Sequence, residues 1–364
     1  MRKNMQSIFD NAVRDHVTPG VAASILLFEN NQTNPIDFFA GNLEPGSPIE
    51  ASQRTIYDLA SLTKVIATTL LSAIAVDLGK LGVDEKPWPL WPEVSVAHIL
   101  SHTSGLVAWL PLYKEAIAQN VQCTPKGEEV VVNAALASKP IAPAGAEFLY
   151  SDIGYIALGS LLQQRLGDRL DILFADVAHR FWGNENLQYR CLYENPKEIL
   201  RDPIAPTGEN PWFKQSFCGQ VHDPNCYAMG GISGHAGLFG NLVDVKNASV
   251  FFLSALKGDQ LGACAVLRDF AAYGGPHPLG FDKPTPGGST DNFLSIKSVG
   301  HLGFTGTSLW IDPLARQGQG ACYVLLSNRV YFGIDSNEAI TELRRSFHRI
   351  ASEMVEADLS ISDM

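Results

Sequence analysis

The first apolar pattern is a helix-period set ending near Val13 in an otherwise polar N-terminal stretch, which predicts an amphipathic helix. An unbroken apolar run over residues 21–28 has strand length, residues 30–35 (Asn-Asn-Gln-Thr-Asn-Pro) predict a turn, and residues 36–41 predict the returning strand. Three further strands are expected near the other end, over residues 293–299, 307–311 and 321–327. Ile340, Leu343, Phe347, Ile350 and Met354 then recur at three- and four-residue intervals, the signature of one buried helix face. Both ends therefore read as strands plus a helix, which predicts one α/β lobe assembled from residues 1–82 and 290–364. Between them, residues 96–100, 130–137, 155–166 and 170–181 carry helical periodicity separated by Pro- and Gly-rich connectors, with irregular stretches around 196–226 and 273–291. Residues 83–289 are thus expected to form a mainly helical lobe.

Composition narrows the function classes. With 364 residues, 46% hydrophobic and 18% charged, the chain can bury a large core and suits a compact enzyme. A net charge of -11 argues against nucleic acid or an anionic membrane surface as partner. No stretch has the length of a transmembrane helix, and the N-terminus has two early positive charges but no apolar run behind them, so no signal peptide is read. The six cysteines show no paired spacing. Together these features lead us to expect reduced thiols and a cytoplasmic setting. The expected partner is a small-molecule or peptide substrate; the sequence leaves the oligomeric state open.

Ser61-Leu62-Thr63-Lys64 places a hydroxyl and an amine one helical turn apart, at the start of an apolar helix running on through residues 65–71. Serine needs a base within hydrogen-bond reach, and a deprotonated lysine can be that base. A helix start adds a positive dipole end beneath developing negative charge. A free lysine, with a pKa near ~10.4, is no base at neutral pH, so the site must lower it by burial or neighbouring charge.

Two later triplets follow in order: Tyr150-Ser151-Asp152, and His301-Leu302-Gly303 ahead of Phe304. With Ser61 and Lys64 the set resembles the class C β-lactamase and penicillin-binding-protein-like serine hydrolases, which use S-x-x-K, Y-x-N and K-T-G or H-x-G motifs in this order. Residues 99–106 (ILSHTSGL), 221–225 (VHDPN) and 230–239 (GGISGHAGLF) are similar to further stretches of that family. The resemblance implies an α+β, β-lactamase/transpeptidase-like fold: an antiparallel sheet flanked by N- and C-terminal helices, beside a mainly helical lobe, with the site between. It implies no metal or organic cofactor. Carried over by residue, Ser61 is the acylated nucleophile, Lys64 its proton acceptor or relay, and Tyr150 the proton shuttle to the leaving group. The backbone N–H groups of Ser61 and Phe304 form the oxyanion hole, where each donor is worth ~3 kcal/mol. Asp152, His301 and Gly303 are expected at the substrate, Gly303 because a side chain there would obstruct a closely approaching substrate backbone.

Two departures bear on substrate. His301 stands where β-lactamases carry lysine, and histidine is cationic only below about pH 6.5 unless perturbed. This favours esterase- or D-amino-acid-peptidase-like chemistry over β-lactam hydrolysis. Asp152 replaces asparagine: it either holds Lys64 as an ammonium and shifts proton abstraction toward Tyr150, points away, or binds a cationic substrate group. A β-lactamase or DD-carboxypeptidase, and a non-hydrolytic penicillin-recognising sensor module, stand as alternatives. His98 with His102, and His222-Asp223 with His235, have metal-compatible spacing, but their context favours a helix end and a loop packed under the cleft.

Overall fold

The computed structural model describes residues 1–29, 32–183, 186–193, 202–258, 261–275, 277–335 and 337–357. Its main sheet has five antiparallel strands: β1 (Gly20–Glu29), β2 (Gln32–Gly41), β3 (Val299–Leu302), β4 (Ser308–Asp312) and β5 (Ala321–Ser327), in the order β2-β1-β5-β4-β3. The two ends of the chain meet at its centre, where Val21 pairs with Ser327 and Leu27 with Ala321.

The continuous apolar run of β1 reflects burial on both faces. Side chains alternate along a strand, so Val21, Ala23, Ile25 and Leu27 join one core while Ala22 and Leu26 join the other. The first core is covered by α1 (Arg2–Arg14), through Met5, Phe9 and Ala12, and by the C-terminal helix, here α5 (Asn337–Glu356), through Ile340, Leu343, Phe347, Ile350 and Met354. The opposite face meets α4 (Leu242–Lys257). There the buried Ser24 hydroxyl donates to Asp37 at 2.7 Å, and Lys246 of α4 pairs with the same carboxylate at 2.8 Å. The larger core continues into the helical region around α2 (Leu70–Asp77) and α3 (Asp152–Leu166).

Three expectations shift. The segment over residues 293–299 is not a strand: Ser295 gives its backbone N–H and hydroxyl to the Asp312 carboxylate, at 2.8 and 2.5 Å, which holds a turn, and pairing begins only at Val299. The turn expected at 30–35 is shorter, since β2 starts at Gln32 and Pro35 sits opposite Leu26; an edge strand tolerates proline's missing donor. Residues 30 and 31 lie outside the described residues, as does the part of the irregular stretch at 196–201. The helix after Ser61 also begins wide, as a π-turn over Lys64–Thr69, with the Thr69 hydroxyl 2.8 Å from the Lys64 carbonyl and 3.0 Å from that of Gly280. Such widened turns are frequent at functional sites. All six cysteines are free thiols, and no described helix is long and apolar enough to cross a membrane.

Candidate active site

Ser61 follows a two-residue strand, Tyr57–Asp58, that pairs with Leu238–Gly240. The buried Asp58 carboxylate accepts the N–H groups of Ala60 (2.8 Å) and His222 (2.7 Å), tightening the bend that follows. Ala60 takes a left-handed conformation, φ 47°, directly before Ser61. A non-glycine residue there is strained, and such strain clusters at functional sites. Lys64 is fully buried, and its Nζ lies 2.9 Å from Ser61 Oγ, 3.1 Å from the His235 carbonyl and 2.7 Å from Asp152 Oδ1.

The second segment arrives from the helical region. Tyr150 donates its hydroxyl to Ser61 Oγ at 2.8 Å. Ser151 caps α3 by accepting the Gly154 N–H, which leaves Asp152 in the first helical turn, where the dipole favours a carboxylate. His102 underpins this segment: its carbonyl accepts the Leu149 N–H, and its Nδ1 accepts that of Ser151 at 3.1 Å. Its ring lies between those of Tyr150 and Tyr155, at 4.5 and 5.0 Å between centroids.

The third segment is the bend from β3 to β4. Gly303 and Thr307 close it by a backbone bond of 2.8 Å, and Gly306, at φ 106°, makes the reversal. Thr305 and Thr307 donate to the carbonyls of Asp58 (2.7 Å) and Leu59 (3.1 Å), lashing the bend to the strand that precedes Ser61. Arg329 holds the Phe304 carbonyl at 2.8 Å and stacks on its ring. A Cβ on Gly303 would fall 2.0 Å from Thr307 Oγ1 and 2.7 Å from the Leu59 carbonyl, so the position admits only glycine.

These three segments line one cleft of about 890 Å³, with Ser61, Tyr150, His301 and Phe304 around the nucleophile position and Trp109 and Trp212 on the wall. The groups inside it are tuned by burial. His301 donates Nδ1–H to the Leu302 carbonyl, and burial with the nearby Lys64 charge lowers its pKa to about 3, so it is neutral. Burial and then the Asp152 charge push the Tyr150 phenol well above its usual range. Burial raises Asp223, but His235, the Cys226 N–H and the Lys64 charge together outweigh it and hold the carboxyl below its ordinary value.

Every candidate site residue from the sequence therefore borders this cleft or, as with Lys64, lies directly beneath it. The His98/His102 pair does not converge: His98 Nδ1 accepts the Ser95 N–H in a helix capping box, while His102 serves Ser151. Asp152, Asp223 and His235 do converge, with ligand atoms within 4.8 Å of one another. Each is already engaged: Asp152 pairs with Lys64, and Asp223 is hydrogen-bonded to His235 Nε2 at 2.7 Å, with Ser233 on the other ring nitrogen at 2.8 Å. Sequence reasoning placed His102 in a helix end and a motif without giving it a role at the site, and missed Arg344. His102 meets the site through its ring against Tyr150 and its bond from the Ser151 N–H, and Arg344 through the Gly303 and Thr307 carbonyls.

A family model described as Beta-lactamase matches residues 5–344. A protein of Escherichia coli (strain K12), provisionally named a D-alanyl-D-alanine carboxypeptidase, is 27% identical over 329 residues, covering 80% of this chain and 73% of its own. Among solved structures, the octameric penicillin-binding protein homologue from Pyrococcus abyssi superposes with a TM-score of 0.68 at 20% identity, over 94% of this chain and 76% of its own. EstCE1, a hydrolase with promiscuous acyltransferase activity, gives 0.68 at 18% identity, over 95% and 98%. At these identities the two structures establish the shared fold.

Proposed function

The chain belongs to the Beta-lactamase family of serine hydrolases, and from that membership we propose that Ser61 attacks the carbonyl carbon of a small ester or amide and forms an acyl-enzyme. The observation that carries this reading is the double approach to Ser61 Oγ, by Lys64 Nζ at 2.9 Å and the Tyr150 hydroxyl at 2.8 Å, at the wall of a ligand-sized cleft. Lys64 receives or relays the serine proton, and Tyr150 carries a proton between Ser61 and the leaving group. The N–H groups of Ser61 and Phe304 receive the oxyanion, and the substrate's backbone lies along the outer edge of β3, while Gly303 is demanded by the packing of its own bend against Thr307 and Leu59 rather than by substrate.

The neutral His301 supplies a hydrogen-bond acceptor rather than a fixed cation, and Arg329 and Arg344 are committed to backbone carbonyls. Both features favour substrates without a carboxylate beside the scissile bond, hence esterase-like or D-aminoacyl amide chemistry. A second reading, DD-carboxypeptidase activity, draws on the Escherichia coli relatives so named. The free thiols support a reducing, cytoplasmic setting.

Ser61→Ala is expected to abolish turnover of p-nitrophenyl acetate and labelling by a fluorophosphonate probe while the melting temperature stays near that of the parent. Turnover persisting in that variant would remove Ser61 as nucleophile. Assays on p-nitrophenyl acetate, a D-alanyl-D-alanine peptide and nitrocefin separate the two readings and a β-lactamase. A stoichiometric burst with no further product would instead mark a sensor module.

A further inference from the structure

We propose that Asp152 is the terminal proton acceptor of acylation, with Lys64 passing the Ser61 proton on to it; this rests on the reading of Ser61 as nucleophile. The argument is an inventory of hydrogens. Among the described residues, Lys64 Nζ is within hydrogen-bond distance of Ser61 Oγ, the His235 carbonyl and Asp152 Oδ1, at 2.9, 3.1 and 2.7 Å. An ammonium offers three donors and no lone pair: this one donates to Ser61 Oγ and the His235 carbonyl and stands in ion-pair contact with Asp152 Oδ1, a buried oxygen that makes no hydrogen bond of its own among the described residues. In this state Lys64 cannot take the serine proton until it releases one of its own.

The acceptor must then be among the neighbours. A backbone carbonyl does not hold a proton. Tyr150 is itself a donor to Ser61 Oγ, and burial keeps it a phenol. The Asp223 carboxylate faces the same space but is bound to His235 Nε2 and to the Cys226 N–H. His301 is turned to the Leu302 carbonyl through Nδ1. Asp152 alone combines a carboxylate with direct contact to Lys64, and at 16% exposure its side chain opens to the cleft. When substrate fills the cleft and excludes water, the ion pair gives way to a neutral amine and a neutral acid more readily than it does in solvent.

The step balances. The Ser61 O–H bond breaks as the Oγ–carbon bond forms, its proton moves to Nζ, an Nζ proton moves to Asp152 Oδ1, and the carbonyl π pair shifts to oxygen. On collapse that pair re-forms the carbonyl, the bond to the leaving group breaks, and the leaving group takes the Tyr150 phenol proton, which the proton held on Asp152 replaces through Lys64. Water then attacks the acyl-enzyme by the same route, and Ser61 recovers its hydrogen.

The test is Asp152→Asn, which keeps shape and removes the acceptor. At pH 7 kcat for p-nitrophenyl acetate should fall about 100-fold or more, the scale of one general base, with KM nearly unchanged. The residual rate should climb steadily above pH 8, as solvent base strips Lys64 directly, while the parent rate has levelled. Formate should restore turnover to Asp152→Ala by entering the vacated space. If Asp152→Asn matches or exceeds the parent at pH 7, the carboxylate merely clamps the amine and the inference is overturned. Should that variant melt far below the parent, the formate arm decides: restored turnover supports the inference and no restoration overturns it. A parent enzyme unlabelled by fluorophosphonate would instead sink the serine-hydrolase reading itself, an outcome distinct from a labelled parent with an equally active Asp152→Asn.

Discussion

Arg344, on the C-terminal helix, donates through Nη2 to the carbonyl of Gly303 at 2.6 Å, and the same nitrogen reaches the Thr307 carbonyl at 2.8 Å. One buried guanidinium therefore spans both ends of the bend that presents Phe304 to the cleft. A helix that covers the far face of the sheet thus reaches through to the site.

Replacing Arg344 with Met keeps bulk but strips the Gly303 and Thr307 carbonyls of their side-chain donor, leaving each with one backbone N–H, from Gly306 and Gly303. The bend should loosen, and a 1 Å shift of a positioned group can cost about 100-fold in rate. We expect kcat for p-nitrophenyl acetate to drop about tenfold to 100-fold, with a lower melting temperature. A lower melting temperature with unaltered kcat would reduce Arg344 to a purely structural role.

Gly303→Ala should be far more harmful than a one-carbon change suggests. Its Cβ would meet Thr307 Oγ1 at 2.0 Å and the Leu59 carbonyl at 2.7 Å, forcing apart the bend and the strand before Ser61. A loss of about 100-fold or more in kcat/KM is expected. Adding Thr307→Ala removes the nearer clash and should recover part of it. Kinetics of the single and double variants check this; full activity in Gly303→Ala would contradict the close approach.

His301 has its pKa lowered to about 3 by burial and by Lys64, so it gains no charge between pH 5 and 8. The ratio of kcat/KM for mono-p-nitrophenyl succinate to that for p-nitrophenyl acetate should be flat across this range. A preference for the acidic ester that is strong at pH 5 and gone by pH 8 would show a cationic His301.

Acid should destabilise the fold earlier than carboxylate titration alone predicts. Burial lowers His222 and His348 to about 4 and His301 to about 3, and carries His102 well below its usual value. As pH falls below about 6.5 the unfolded chain binds these protons first, and each such histidine removes up to about 1.4 kcal/mol per pH unit. Asp58 and Asp282, raised to about 6 by burial, act oppositely, because the folded state protonates first there. Four histidines outweigh two carboxyls, leaving a net loss on the order of 5 kcal/mol between pH 7 and pH 5. Urea titrations at the two values measure it, and equal stabilities would refute the buried-neutral assignment.

Much of this protein was legible in the chain alone. Strand-length apolar runs located β1 and β5, and period-3.6 apolar patterns located α1 and the C-terminal helix, because a strand buried on both faces is apolar throughout and a helix buried on one face carries its own repeat. The local spacing of Ser61 and Lys64 already placed the amine beside the hydroxyl, since one helical turn fixes that distance. Two boundaries failed for reasons beyond the local sequence: Asp312, 17 residues away, drew Ser295 into a turn, and the edge position of β2 in the sheet accepted Pro35. Tertiary structure alone decided the rest. Which oxygens surround Lys64, that Asp152 turns toward it, that His102 supports Tyr150, and that Arg344 reaches Gly303 all depend on segments meeting across long sequence separations. Burial then set the charge states, leaving His301 neutral and Tyr150 a phenol, because desolvation is a property of the packed surroundings and not of the residue.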